Sequence, residues 1–115
     1  MERRFRIKKR GTFSYVFKKG IRFPSKNFVL VAAPSKEGLK FGLSVSKQCG
    51  KAVIRNKIKR RLRMILTDII PKLSQKFLYI IVAKPSIVEI DYQTLTDEVK
   101  LAFENEEKFQ KNQLS

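Results

Sequence analysis

The chain predicts a small α+β domain, with helices packed on one mixed sheet. Three observations carry this. Two almost wholly apolar runs, residues 27–33 (NFVLVAA) and 77–83 (FLYIIVA), have the length of strands covered on both faces. Between them, residues 40–46 alternate with period 2, and residues 54–65 repeat with helical period. Finally, 115 residues, 43% of them apolar, allow one modest core, so a single domain spanning 1–115 is expected. The expected order is helix, strand, strand, helix, strand, helix.

Residues 1–10 form a basic N-terminal arm; its stretch RRFRIKKR carries six cations and reads as flexible. Thr12 is a candidate cap for a first helix. Lys18, Lys19 and Gly20 suit its end, as cations against the helix dipole followed by a residue that tolerates positive φ. Phe13, Val16 and Phe17 share one stripe of that helix, with Tyr15 off it. Two readings stay open for these aromatics: ordinary core packing, or a surface on which unpaired bases stack, worth roughly 1–3 kcal/mol per base. Pro24 and Ser25 interrupt the chain, and the apolar run 27–33 follows. Pro34–Gly38 reads as a turn, so strands 27–33 and 40–46 are expected to pair as an antiparallel hairpin.

Residues 47–50 form a short loop into the central helix, which Pro71 brings to an end near residue 69 or 70. Ile54, Ile58, Leu62 and Ile65 fall on one stripe of this helix. Asn56, Lys59, Arg60 and Arg63 fall on the opposite face, with Arg55 and Lys57 on the flanks. The like-charge pairs Arg55/Lys59 and Lys59/Arg63, at i,i+4, each disfavour the isolated helix by a few tenths of a kcal/mol. No carboxylate occurs between Lys40 and Thr67 to relieve them. A polyanion would. A face that served only solubility would carry mixed charge.

Residues 77–83 give the strongest strand signal, and Pro85 stops it. Asp91 is placed to cap a last helix from Tyr92 to about Glu107. Leu95, Val99, Ala102 and Phe103 form its buried seam, and Asp97, Glu98, Glu104, Glu106 and Glu107 its solvated face. Residues 108–115 read as a frayed tail.

Charge is unevenly distributed. Residues 1–67 hold 20 Lys/Arg against Glu2 and Glu37, while residues 68–115 hold six against eight acids. The net +16 therefore comes wholly from the first part. This asymmetry points to a polyanion-binding surface supported by a near-neutral C-terminal part. The absence of histidine excludes imidazole acid–base catalysis, His-based metal ligation and the common triads. Cys49, the single cysteine, cannot form an internal disulfide. Lys47 and Lys51 would lower its pKa, but no histidine can act as its base, and a small loop residue is the better reading. There is no run of about 18 apolar residues and no apolar signal core after the basic start. A cytoplasmic protein without membrane contact is expected.

The stretch Gly42-Leu-Ser-Val-Ser-Lys47, followed by Gly50-Lys-Ala-Val-Ile-Arg-Asn-Lys-Ile-Lys-Arg60, resembles the protein subunit of bacterial ribonuclease P. That family's signature is a Gly-Leu-Ser-Val-Ser-Lys strand and a helix bearing Arg-Asn-Arg and then Ile-Lys-Arg. Here the helix reads Arg55-Asn56-Lys57-Ile58-Lys59-Arg60. Lys8, Lys9, Phe13, Val16, Phe17, Lys18 and Gly20 match the family's first helix. The resemblance implies a left-handed strand–helix–strand crossover, against the usual rule. It implies a ribonucleoprotein that removes the 5′ leader of precursor tRNA, with the RNA subunit as catalyst and magnesium held mainly by that RNA. The protein, a monomer when alone, would be a non-catalytic subunit: no catalytic and no metal-binding residues are expected in it. Lys47, Lys51, Arg55, Asn56, Lys57, Lys59, Arg60 and Arg63 would bind the catalytic RNA. Lys8, Lys9, Phe13, Phe17 and Val31 would line a cleft for the leader, raising substrate affinity. Two positions depart from the pattern. Lys57 replaces an arginine, giving a point charge instead of a planar fork. Val31 stands where some relatives have an aromatic.

Three rival functions share part of this pattern. A ribosomal or general RNA-binding protein fits the charge equally well. A self-sufficient metal nuclease needs clustered carboxylates, and the acids here sit mainly at 91–107. A DNA-binding protein would lay the basic helix in a major groove.

Overall fold

The computed structural model describes residues 2–114, with side chains through Lys111. Helix α1 is Arg10–Lys19, and strands β1, β2 and β3 are Ile21–Pro24, Phe28–Pro34 and Lys40–Ser44. Helix α2 (Ala52–Ile69), strand β4 (Phe77–Ala83) and helix α3 (Tyr92–Leu114) complete the chain. The four strands form one sheet in the order β1-β2-β4-β3. β1–β2 and β2–β4 are antiparallel, and β3–β4 is parallel, so the sheet is mixed as expected.

Two features of the sheet differ from the sequence reading. β1 was not anticipated: it is four residues long, largely exposed, and ends in a proline, which an edge strand tolerates. The expected hairpin between β2 and β3 does not form. β4, apolar on both faces, takes the place between them, pairing Val31 with Ile80 and Gly42 with Ile80 from either side. Because α2 carries the chain from β3 to β4, that connection has the length a parallel pair requires.

Alternation along the strands divides the core in two. Phe28, Leu30, Ala32, Tyr79, Ile81 and Ala83 face α2 and α3, whose Ile58, Leu62, Ile65, Leu95, Val99 and Phe103 cover them. Tyr79 sits among rings, 5.5 Å from Phe41 and 4.9 Å from Phe103 between centroids. Val31, Ala33, Leu78 and Ile80 face the other way, beneath Val16 of α1 and Ile7.

The helix ends carry several corrections. α1 begins at Arg10 without a side-chain cap, one turn earlier than Thr12 suggested. Gly20 is extended rather than left-handed, and its role is close approach: a Cβ there would collide with the Val16 carbonyl oxygen and lie 2.6 Å from Val31 Cγ1. Ile54 lies partly in solvent, and the seam of α2 instead continues through Leu66 and Ile69. Asp91 caps α3 as expected, its Oδ1 accepting from the Thr94 N–H at 3.1 Å. That bond holds its carboxyl below the ordinary value.

Helix α3 does not stop near Glu107 but continues to Leu114, with Phe109 packed edge-on against Phe23 at 5.6 Å. Of the tail expected to fray, the side chains from Asn112 onward and the whole of Ser115 lie outside the described residues, as does Met1 of the arm. The basic arm is docked: Arg6 bridges to Phe41, the Ile7 N–H donates to the Phe41 carbonyl at 2.8 Å, and Ile7 is buried. Two residues expected on the solvated face of α3 are not there. Glu98 accepts from the Asn27 side chain at 2.7 Å and its backbone N–H at 3.2 Å, and Glu106 is buried. Cys49 is a core residue.

Candidate nucleic-acid interface

Helix α2 is held by its apolar seam, so its other side chains are fixed by geometry. Asn56, Lys57 and Arg60 are exposed, and Arg55, Lys59 and Arg63 are half-buried. Lys47 and Lys51 are exposed on the short turn before the helix. Gly50 lies between them with φ +125°, a conformation that a β-carbon would strain. Arg55 Nε donates to the Gly50 carbonyl at 3.1 Å, tying the helix's first cations to that turn. Among the described residues no carboxylate comes within 4.0 Å of any Lys or Arg of α2; the ion pairs are Arg4–Glu2, Lys40–Glu37 and Lys111–Glu107. Among the described residues the band therefore forms no ion pair within the protein.

The far end of the band meets the N-terminal segment. A recess of about 120 Å³ is lined by Arg6, Ile7, Phe13, Gly42, Lys59 and Arg63, among others. Partial burial, and then the Arg6 guanidinium, push Arg63 below its ordinary value. An open groove of about 510 Å³ continues past Arg60, Arg63, Met64 and Tyr92. Asp68 also lines that groove, so a carboxylate stands near the cations at this end.

On the α1 side of the sheet, Phe13 and Phe17 are half-buried and pack against the small core. Phe13 covers Gly42, and Phe17 has the Arg22 guanidinium 5.9 Å from its ring centre. Lys8 and Lys9 are exposed just before α1. Val31 is a correction: it is fully buried beneath α1, opposite Gly20, and offers no surface. The accessible residues of that face are its neighbours. Val29 and Val82 pair across β2 and β4, and Ser44 pairs with Val82 across β3, making one half-buried row.

The structure thus brings Phe13 together with Lys59 and Arg63, and joins Lys47, Lys51 and Arg55 at one end of α2. Phe17 lies toward Arg22 instead. Sequence reasoning missed Arg6, Val29 and Val82. The two valines were legible from the strand period, since each lies two residues from a residue of the small core. Arg6 was not, because its position depends on the bridge to Phe41.

Among the described residues no three His, Cys, Asp or Glu side chains cluster to hold a metal ion. Nor, among those residues, is any helix long and apolar enough to cross a membrane.

A one-sided cationic helix beside an apolar cleft, on an α+β frame, defines a small protein shaped to meet a polyanion. The Ribonuclease P family model matches residues 1–107. The ribonuclease P protein component of Bacillus pumilus is 39% identical over 95 residues, covering 81% of this chain and 80% of that protein. Its counterpart from Ligilactobacillus salivarius is 31% identical over 102 residues, covering 87% and 90%. Among solved structures, a Staphylococcus aureus RNase P protein mutant with defective mRNA degradation activity superposes with TM-score 0.84 at 28% identity, covering 90% of this chain and 88% of that one. The Thermotoga maritima RNase P protein shares the fold, with TM-score 0.75 at 23% identity over 82% of this chain and 90% of that one. The chain belongs to the ribonuclease P protein component family. Membership gives it an RNA-binding role in tRNA processing, with an RNA subunit as partner.

Proposed function

We propose that this protein is the non-catalytic subunit of an endoribonuclease that removes the 5′ leader of precursor tRNA. The RNA subunit carries the chemistry. The observation that carries this reading is the cationic band of α2, which forms no ion pair with a carboxylate among the described residues. Lys47, Lys51, Arg55, Asn56, Lys57, Lys59, Arg60 and Arg63 hold the catalytic RNA, chiefly through its phosphates. Each contact releases counterions and relieves the like-charge repulsion within the helix.

The leader lies along the other cleft, over Phe13 and Phe17 and the row Val29–Val82–Ser44, with Lys8 and Lys9 on its backbone. Exposed ring faces accept bases without demanding a sequence. Magnesium belongs to the RNA in this reading, since the described side chains offer it no carboxylate cradle. The protein's part is to bind and orient, and by screening phosphates to raise substrate affinity. It acts as a monomer in the cytoplasm.

Reconstitution tests the whole. Added to a bacterial ribonuclease P RNA at low magnesium, the protein stimulates 5′-leader removal. Without the RNA subunit, it leaves precursor tRNA uncut in magnesium. Failure of the first, or cleavage in the second, removes the reading.

A further inference from the structure

We propose that the recess between β1 and the C-terminal half of α3 binds a small aromatic amine, whose cationic nitrogen meets Glu106. Its lining comes mainly from β1, the ends of β2 and β4, and α3. It shares no lining residue with the recess at Phe13, Gly42, Lys59 and Arg63.

Two independent observations point to a ligand. The first is shape and lining: a cavity of about 340 Å³, walled by Ile21, Phe23, Phe77 and Phe109, with Lys19 and Gln110 also lining it. That size and apolar character suit a compact aromatic body. The second is chemistry. Glu106 also lines this cavity and is only 2% exposed. Its Oε2 accepts from the Tyr79 hydroxyl at 3.3 Å, but its Oε1 is buried with no hydrogen-bond partner among the described residues. An unsatisfied carboxyl oxygen in apolar surroundings is costly and is rare in a native core.

The charges around Glu106 define what would satisfy it. Tyr79 from β4 and Glu107 from α3 act on its titration, Glu107 with the same sign, and Lys19 lines the cavity. Among the described residues no Lys or Arg forms an ion pair with it. Burial first, then Glu107, raise its carboxyl to about 7, against the lowering effect of the Tyr79 bond. An ammonium group at the cavity wall brings the counter-charge that the Glu106 carboxylate lacks, while an aromatic body fills the space beside Phe23, Phe77 and Phe109. Binding then favours the carboxylate and expels a proton wherever Glu106 was protonated.

Tryptamine is a suitable probe, because the protein has no tryptophan and the ligand's indole emission stands alone. The full-length protein at physiological ionic strength should bind it saturably, with NMR shifts at Ile21, Phe77 and Phe109. Affinity should rise about tenfold from about pH 6 to about pH 8, as Glu106 ionises. Glu106→Gln should lower affinity about tenfold and abolish this pH dependence. Should that variant fail to fold, Gln110→Phe, which narrows the cavity without touching the carboxyl, should block binding alone. No saturation, shifts confined to residues 41–43, or pH-independent affinity would overturn the proposal. So would adenosine binding as tightly as tryptamine, since it carries no cationic nitrogen.

Discussion

Phe13 rests on Gly42: a Cβ built on the glycine would come within 2.6 Å of Phe13 Cε1 and 2.7 Å of Cζ. The missing side chain on β3 is what lets α1 sit low enough for its first aromatic ring to meet Lys59 and Arg63 in one recess. Gly42→Ala should lift that ring and cost about 1–3 kcal/mol, as overpacking does. Urea unfolding measures the loss. Leader affinity should fall more than affinity for the RNA subunit, and an equal fall in both would detach Phe13 from the leader cleft.

Arg60 is exposed on the cationic band and has no carboxylate within ion-pair distance among the described residues. Arg60→Ala should weaken RNA binding and lower the slope of log affinity against log salt by about one counterion. Titrations at several salt concentrations read both numbers. At the neighbouring departure from the family pattern, Lys57→Arg should tighten binding, because a planar fork replaces a point charge. An unchanged slope for Arg60→Ala would mean that its guanidinium faces water in the complex.

Glu98 accepts two hydrogen bonds from Asn27, which is only 2% exposed and lies 71 positions away in sequence. The pair anchors α3 to the start of β2. Glu98→Ala strands two buried donors and should cost about 1–3 kcal/mol or more. Glu98→Gln keeps one acceptor and should cost less. Chemical denaturation of both variants separates lost bonding from lost charge.

The raised Glu106 carboxyl makes stability depend on pH. It titrates near 7 in the folded protein, against an ordinary 4.5, so the folded state holds the proton more tightly than the unfolded chain. Its contribution is complete below about 4.5 and is lost as pH rises toward about 7. The loss is of the order of 1–3 kcal/mol. Glu106→Gln should erase this slope, so that wild type and variant converge or cross as pH rises. Parallel stability curves from pH 4.5 to 7 would place the carboxyl's titration elsewhere.

Much of the fold was legible because its signals are local. The apolar runs that became β2 and β4, the helical period of α2 and the Asp91 cap depend on neighbours in sequence. What was not legible depends on distant partners. Strand order could not be read, since nothing in β2 or β3 alone says that β4 will come between them. β1 is too short and too exposed to leave a period. Glu98 and Glu106 look like solvent-facing acids until Asn27 and Tyr79 are brought to them. The cationic face of α2 was legible, because face and charge are both periodic, but the Arg6 that meets its far end was not. The cleft was legible only in part: Phe13 and Phe17 could be named, but the strand residue chosen with them, Val31, proved to be roofed over by α1.

The position of β4 also sets the order in which the protein can assemble. β3 has one neighbour in the sheet, and that neighbour is made of residues 77–83. During synthesis the whole of α2, with its unbalanced cations, leaves the ribosome before the strand that will lock it in place. Until then, only β1 and β2 can zip together. The segment that becomes α2 is thus complete before the sheet is, and completion of the sheet is a long-range closure of the kind that slows folding. The parallel edge of the sheet cannot form until residues 77–83 have been made.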